Sequence, residues 1–312
     1  MVELTNSFTF TLRPKPPYNF NLTIRKPTGW DLFTPDEKFS DDSLWTALYV
    51  ETTLFGLKIK SKGTTSSPRI LVTAYSKRRL TQSQKATVKQ TVASKPGVDD
   101  DVNEFYSACK NGRILSHAIE DLYGMHDTQG GSLFDSAILA ICLQMAPLKR
   151  SNQMMNCILR RYGEIASFEV KAVQMWPLPD VIAGLKIPEF TRQCKLGFRA
   201  KYLVKLAKAL TGGTFPSIED LSRLPSDAAK ARLLELPGIG DYSADIINPL
   251  GGFPIDVWSA EVFGKSFPRE MIAKVKEEGI KRWGRWSWMA FFYIVNDLEN
   301  LSKALRIKLR LA

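Results

Sequence analysis

Cysteine is scarce: there are four in 312 residues, and Cys109, Cys142, Cys157 and Cys194 include no short-spaced pair. This argues against a zinc site and against a disulfide scaffold, leaving buried, reduced thiols as the expectation. No uninterrupted apolar run approaches the roughly 20 residues of a membrane-spanning helix. Polar Glu3, Thr5 and Asn6 deny the N-terminus a signal-peptide shape. The chain is therefore expected to be soluble and intracellular, in cytoplasm and nucleoid or in a nucleus. Acidic residues are the minority charge, 32 against 43 Lys and Arg, for a formal net charge of +11 and a pI near 9.4. Such an excess implies an acidic partner, nucleic acid or anionic membrane.

Hydrophobic residues make up 44% and aromatics 11%, enough to fill the cores of two ordinary domains. The first part reads as strands. Phe8-Thr9-Phe10-Thr11-Leu12 alternates, Tyr18-Asn19-Phe20-Asn21-Leu22-Thr23-Ile24 alternates again, and residues 44–54 and 69–75 are β-rich, with Pro14, Pro16, Pro17 and Gly63 as punctuation. Residues 81–101, rich in Ser, Thr, Gln and Lys and closing on Pro96-Gly97 and three aspartates, read as a mobile loop or linker.

From Val102 onward the pattern is helical. Phe105, Cys109, Ile114, Ala118 and Leu122 make one stripe, and residues 133–162 make one or two long helices interrupted near Pro147. Residues 187–210, 220–224 and 268–309 complete the helical bulk, and no internal repeat is visible. The expected architecture is α+β, an N-terminal antiparallel β domain over residues 1–100 followed by an all-helical domain over 101–312.

Within the helical part, Leu236-Pro237-Gly238-Ile239-Gly240-Asp241-Tyr242-Ser243-Ala244-Asp245 is followed by Phe253-Pro254-Ile255-Asp256-Val257-Trp258. Residues 226–235 have helical spacing with Ser226 as a possible N-cap, and a second short helix runs over 241–250. The result is a helix-hairpin-helix over 226–250, with a carboxylate in the loop over 251–258. Glycines let the turn approach another molecule closely, and free amides at the next helix start favour an anion such as a phosphate. Most Pro-Gly turns simply reverse the chain, so the glycines alone carry little. Asp256 opens a helix behind a proline, where an aspartate is ordinarily a structural N-cap.

The Leu-Pro-Gly-hydrophobic-Gly hairpin followed by the Asp loop resembles the signature of the helix-hairpin-helix DNA glycosylase superfamily. Its nearest branches are those of bacterial 3-methyladenine DNA glycosylase II and eukaryotic 8-oxoguanine DNA glycosylase, and the resemblance spans nearly the whole chain. It implies that Asp256 is catalytic as well as a cap, beneath a sugar that gains positive charge as the base leaves. Bifunctional members carry Lys two residues after the second hairpin glycine, where the amine forms a Schiff base. This chain has Tyr242 there, and a phenol forms no imine, so the chain reads as monofunctional. Lys265 and Lys281 read as solvated surface charge.

The resemblance also distributes roles along the chain. Tyr242, Trp258, Trp286 and Phe291 would line the base pocket; Phe291 stands where the 8-oxoguanine branch has a Gln, which favours stacking of an electron-poor base over reading of its edge. Met145, with Leu148 as second choice, would be the wedge filling the space left by an extruded nucleotide, the alternative being that Met145 is core. In Gly197-Phe198-Arg199-Ala200-Lys201-Tyr202, Phe198 would support the wedge and Arg199 face the orphaned base. Gly238, Ile239, Gly240 and Ser243 would meet DNA phosphate, with residues 76–79, 149–150, 160–161 and 192–208 adding basic contacts. The carbonyls of Leu234, Leu236 and Ile239 would hold a monovalent cation, Na+ or K+. No cofactor is required, and with no Cys beyond Cys194 an iron–sulfur cluster is not expected.

The expected function is removal of alkylated or deaminated purines from double-stranded DNA by a monomeric enzyme. An 8-oxoguanine glycosylase with lyase activity and a non-catalytic damage-binding protein are the alternatives.

Overall fold

A computed structural model describes residues 1–25, 38–40, 42–50, 52–94, 97–109, 112–128, 132–213, 215, 217–255, 259 and 272–305. The chain is α+β and divides into two compact units, each interrupted in sequence.

The first unit comprises residues 1–102, 123–131 and 155–181, so the expected boundary at residue 100 is crossed twice by later segments. Strands β1 (Val2–Glu3), β2 (Asn6–Leu12), β3 (Lys38–Ser40), β4 (Ser43–Val50), β5 (Thr53–Ser61) and β6 (Ile70–Ser76) precede β7 (Ile165–Phe168) and β8 (Lys171–Gln174). Five form an antiparallel sheet in the order β2-β6-β5-β4-β3, and β1 pairs parallel with β7 in a smaller sheet, β1-β7-β8. The β7–β8 hairpin corrects the helical reading of everything beyond Val102; four-residue strands give too few alternations to show a period. It matters to the core, because Phe168 stacks on Tyr75 at 5.0 Å and meets Trp45 at 5.9 Å. The Phe168 ring lies where a side chain at position 56 would be, so Gly56 is required in the middle of β5.

Two other expectations in this unit change. Tyr18 to Ile24 is not a strand: α1 (Phe20–Arg25) starts where the Asn19 side chain accepts from the Leu22 amide at 3.2 Å, and Phe20, Thr23 and Ile24 are its buried face. A cap and an i, i+3, i+4 face override the apparent alternation. Residues 82–94 are not a linker but helix α2 (Gln82–Ser94), which sends Val88 and Val92 into the sheet's core beside Leu57, Ile59 and Val72.

The aspartate run that follows is anchored as well, with Val98 in the same core and His126 Nδ1 2.8 Å from the Gly97 carbonyl. Burial, aided by Asp127 and Asp99 and opposed by Lys15, pushes the Asp100 carboxyl up to about 7. The folded state thus holds this proton more tightly than the unfolded chain, and stability falls as pH rises from about 4 to about 7. Asp100→Asn is expected to match wild type in denaturant midpoint near pH 3 and to exceed it by about 2 kcal/mol at pH 8. Equal midpoints at pH 8 would show that the carboxylate is solvated.

The second unit comprises residues 103–122, 132–154 and 182–312. The helices that follow α2 along the chain are α3 (Val102–Cys109), α4 (Arg113–Asp121), α5 (Leu133–Leu143), α6 (Leu148–Tyr162), α7 (Pro179–Ala183), α8 (Ile187–Cys194), α9 (Arg199–Thr211), α10 (Ile218–Ser222), α11 (Ser226–Leu234), α12 (Asp241–Ile247), α13 (Ile272–Trp283), α14 (Ser287–Asn296) and α15 (Leu298–Leu305). Apolar almost all round, α5 and α14 are the buried helices, and a capping box between Ser132 and Asp135 fixes the start of α5. Helix α5 packs against both α9 and α12, which carries it to the hairpin.

No described helix is long and apolar enough to cross a membrane. Cys109 and Cys142 are free thiols, which burial pushes up to about 11 and about 12. Cys157 and Cys194 are disulfide-bonded, against the expectation of four reduced thiols.

Candidate functional site

The hairpin forms as its residues dictate. Helix α11 follows Pro225, so Ser226 is its first residue and not the cap; Asn248 Nδ2 donates to the Ser226 hydroxyl at 3.2 Å, closing the far end of the motif. The turn winds through Leu236 N–H to Leu233 and Ile239 N–H to the Leu236 carbonyl, each at 3.1 Å. Gly238 adopts φ +83, in the left-handed region, and lies so close to Tyr202 that an added Cβ would be 2.6 Å from the tyrosine Cβ. Gly240 caps α12 with extended backbone, no side-chain cap bond and open space around it. The first intrahelical bond runs from Ala244 N–H to Gly240, leaving the amides of Asp241, Tyr242 and Ser243 at the helix start.

Two expected phosphate contacts turn inward. The Ile239 side chain is buried and its amide is engaged within the turn. Ser243 is buried, and its hydroxyl accepts from Gln144 Nε2 at 2.9 Å, so the side chain serves the protein interior.

A group that sequence reading missed holds the hairpin in place. Lys230 on α11 reaches Asp241 and Asp245 at 2.6 Å each, and Lys276 on α13 reaches Asp245 at 2.5 Å and also Asp241. Asp245 is buried, so the two ammonium groups supply its compensation. Burial pushes Asp241 up, but hydrogen bonds from both lysines outweigh it and hold the carboxyl below its ordinary range. Burial likewise pulls Lys230 down, and the two carboxylates reverse this, keeping it charged. Thirty-odd residues separate Lys276 from its partners, which no local pattern reveals.

The loop beyond α12 is packed onto the same cluster. Gly251, at φ +78, abuts the Cβ of Trp288, and Gly252 leaves only 2.7 Å between a hypothetical Cβ and the Asp245 Cα. Phe253 is buried against Gly279 and meets Trp283 edge-on at 5.6 Å. The Ser259 hydroxyl donates to the Pro254 carbonyl at 3.4 Å. Asp256 and Trp258 lie outside the described residues.

Among the expected pocket aromatics, Tyr242 and Trp286 are half-buried, the latter 5.8 Å from Phe105 with the Arg285 guanidinium 4.9 Å over its ring. Phe291 is corrected: it is 2% exposed, edge-on to Phe253 at 6.2 Å and stacked on Trp288 at 6.0 Å, so neighbouring protein rings take the place foreseen for a base. Trp288, half-buried beside Gly251, is the aromatic that sequence reading did not single out.

Met145 is 92% exposed at φ +48, which removes the reading of it as core. The side chain of Leu148 lies outside the described residues. Phe198 is exposed and meets Tyr202 edge-on at 6.2 Å. Arg199 does not face outward as expected: it is 8% exposed, and its guanidinium donates to the Gln144 carbonyl and, at 3.4 Å, to that of Leu196. Burial lowers its pKa, with Arg150 adding to the effect and Cys142 opposing it. Among the described residues, no group of three or more His, Cys, Asp or Glu could hold a metal.

No family model matches the chain. A probable N-glycosylase/DNA lyase of Methanothermobacter thermautotrophicus is 24% identical over 191 residues, 54% of this chain and 60% of that relative, so the match spans less than two thirds of the relative's length. The apo 8-oxoguanine glycosylase/lyase of Clostridium acetobutylicum superposes with a TM-score of 0.71 at 16% identity, covering 92% of this chain and 95% of that one. The 3-methyladenine DNA glycosylase of Archaeoglobus fulgidus superposes with a TM-score of 0.73 at 18% identity, covering 92% and 98%. The chain thus has the fold of these two DNA glycosylases.

Proposed function

We propose that the chain is a monofunctional DNA glycosylase of base excision repair, hydrolysing the N-glycosidic bond of an alkylated or deaminated purine turned out of duplex DNA. The observation that carries this reading is the junction of hairpin and loop. Lys230, Lys276 and Asp245 fasten the helix that starts at the open Gly240 turn, and Gly252 packs on Asp245 as the chain heads towards Asp256. The hairpin turn and the loop residues 251–253 that lead on from it are thus fastened to one charged cluster. Preorganised charge of this kind is the largest contribution to many enzymatic rate accelerations.

In the proposed reaction the Asp256 carboxylate stabilises positive charge on the deoxyribose and orients the attacking water, leaving an abasic site. Strand cleavage through an imine needs a free amine. Position 242 offers a phenol, and Lys230 and Lys276 are each engaged by two carboxylates. In this reading the carbonyls of Leu234, Leu236 and Ile239 would hold a monovalent cation beside the hairpin, the Leu236 carbonyl keeping a second lone pair besides the one that accepts from Ile239.

The second reading is an 8-oxoguanine glycosylase with lyase activity, favoured by the likeness to the Clostridium enzyme, whose TM-score differs little from that of the 3-methyladenine enzyme. A panel of duplexes bearing 3-methyladenine, 7-methylguanine, hypoxanthine, uracil and 8-oxoguanine, assayed for abasic sites and then with borohydride, separates the two. Release of alkylated or deaminated purines with no trapped protein–DNA adduct is expected. Release confined to 8-oxoguanine, with an adduct, would establish the second reading in its place.

A further inference from the structure

Three segments of the second unit meet at one side chain, Gln144. Helix α5 ends at Leu143, and Gln144 leaves it with extended backbone. Its carboxamide nitrogen donates to the Gly238 carbonyl at 2.8 Å and to the Ser243 hydroxyl at 2.9 Å. Both N–H groups of the amide are thereby used, one on the hairpin turn and one on the first turn of α12. Its main-chain carbonyl accepts from the Arg199 guanidinium at the start of α9. The next residue is Met145, exposed and in the left-handed region. Beyond it, the Ser151 hydroxyl donates to the Cys142 carbonyl at 2.9 Å and Arg150 donates to the Lys195 carbonyl, fixing the far side of the turn.

We propose that Gln144 is a positioning residue: it sets the separation between the Met145 side chain and the hairpin, so that a duplex gripped at one is pried open at the other. This rests on the glycosylase reading above. Unstacking a base step opposes the wedge with a force that a loose loop would absorb by moving. A wedge one residue from a bracket on the hairpin cannot recede without breaking two partly buried hydrogen bonds and stripping the Gly238 carbonyl of its side-chain donor. Buried Arg199 has the complementary task of holding the Gln144 carbonyl, which accounts for its inward turn.

The discriminating variant is Gln144→Glu. It keeps the size of the side chain, but a carboxylate has no N–H to offer the Gly238 carbonyl and repels it instead. The probe is a duplex carrying 2-aminopurine beside a tetrahydrofuran abasic site, whose fluorescence rises on unstacking whether or not catalysis follows. At saturating protein the wild type is expected to raise fluorescence about fivefold, and both Gln144→Glu and Met145→Ala to raise it less than about 1.5-fold, as expected of a lost wedge. The double variant should be no worse than either single variant, because the wedge and its bracket act as one unit. On a damaged base, Gln144→Glu should slow release from paired duplex about 30-fold and from the same lesion in a single strand less than threefold, since the single strand needs no unstacking.

Fluorescence with Gln144→Glu equal to wild type would overturn the proposal, as would equal losses on paired and single-stranded substrates, which mark a general structural role. Unstacking by the wild type without release of any base would instead defeat the glycosylase reading and leave the bracket standing. No unstacking by the wild type would overturn both.

Discussion

Asp256→Asn is expected to slow release of a damaged base by about 10²–10³-fold or more, because an amide cannot offset charge on the sugar as an ionised carboxylate does. Duplex affinity should stay at the wild-type level or rise, since the proposed grip on phosphate belongs to the hairpin and the change removes a negative charge. Single-turnover excision and gel-shift titration on the same lesion duplex would measure the two effects separately. Equal rates for variant and wild type would remove Asp256 from the mechanism, whereas no release by either would leave a damage-binding protein. A parallel loss of affinity would mean that Asp256 acts as a helix cap alone.

Gly238→Ala carries the second large effect. At φ +83 an alanine meets the left-handed penalty of about 1–2 kcal/mol, and its methyl would lie 2.6 Å from the Tyr202 Cβ and 2.7 Å from its Cγ. Overpacking of this kind adds about 1–3 kcal/mol, so a loss of about 2–4 kcal/mol in unfolding free energy is expected. Gly240→Ala is the control two residues on, where φ is −104 and nothing lies within 4 Å. Its melting temperature should match wild type, while duplex affinity falls about tenfold if phosphate sits against that open backbone. Equal melting temperatures for the Gly238 variant and wild type would show that the turn relaxes into another conformation. Unchanged affinity in the Gly240 variant would move the phosphate contact elsewhere.

The hairpin was legible because its determinants are local: two glycines, a proline and helical spacing on either side lie within 25 residues. The same local reading misassigned Tyr18 to Ile24, where one Asn19 cap decided for helix, and missed the β7–β8 hairpin, whose strands were too short to show alternation. Among site residues, the exposure of Met145 agrees with one of the two readings open to it. Arg199 and Ser243 both turned inward to Gln144, and Phe291 to Phe253, because these partners come from distant segments. The Lys230–Lys276–Asp241–Asp245 cluster left no trace in the sequence, since charged residues on helix faces are ordinarily solvated.

By itself the sequence determined the positive charge, the α+β class and the glycine turn ahead of Asp256, because charge, periodicity and backbone permissiveness are properties of residues and their near neighbours. Only the tertiary structure decided which polar side chains serve the protein and which remain for a ligand. That choice depends on burial: Asp245 and Arg199 lost access to water when α5, α9, α11, α12 and α13 came together, and each had to find its partner inside.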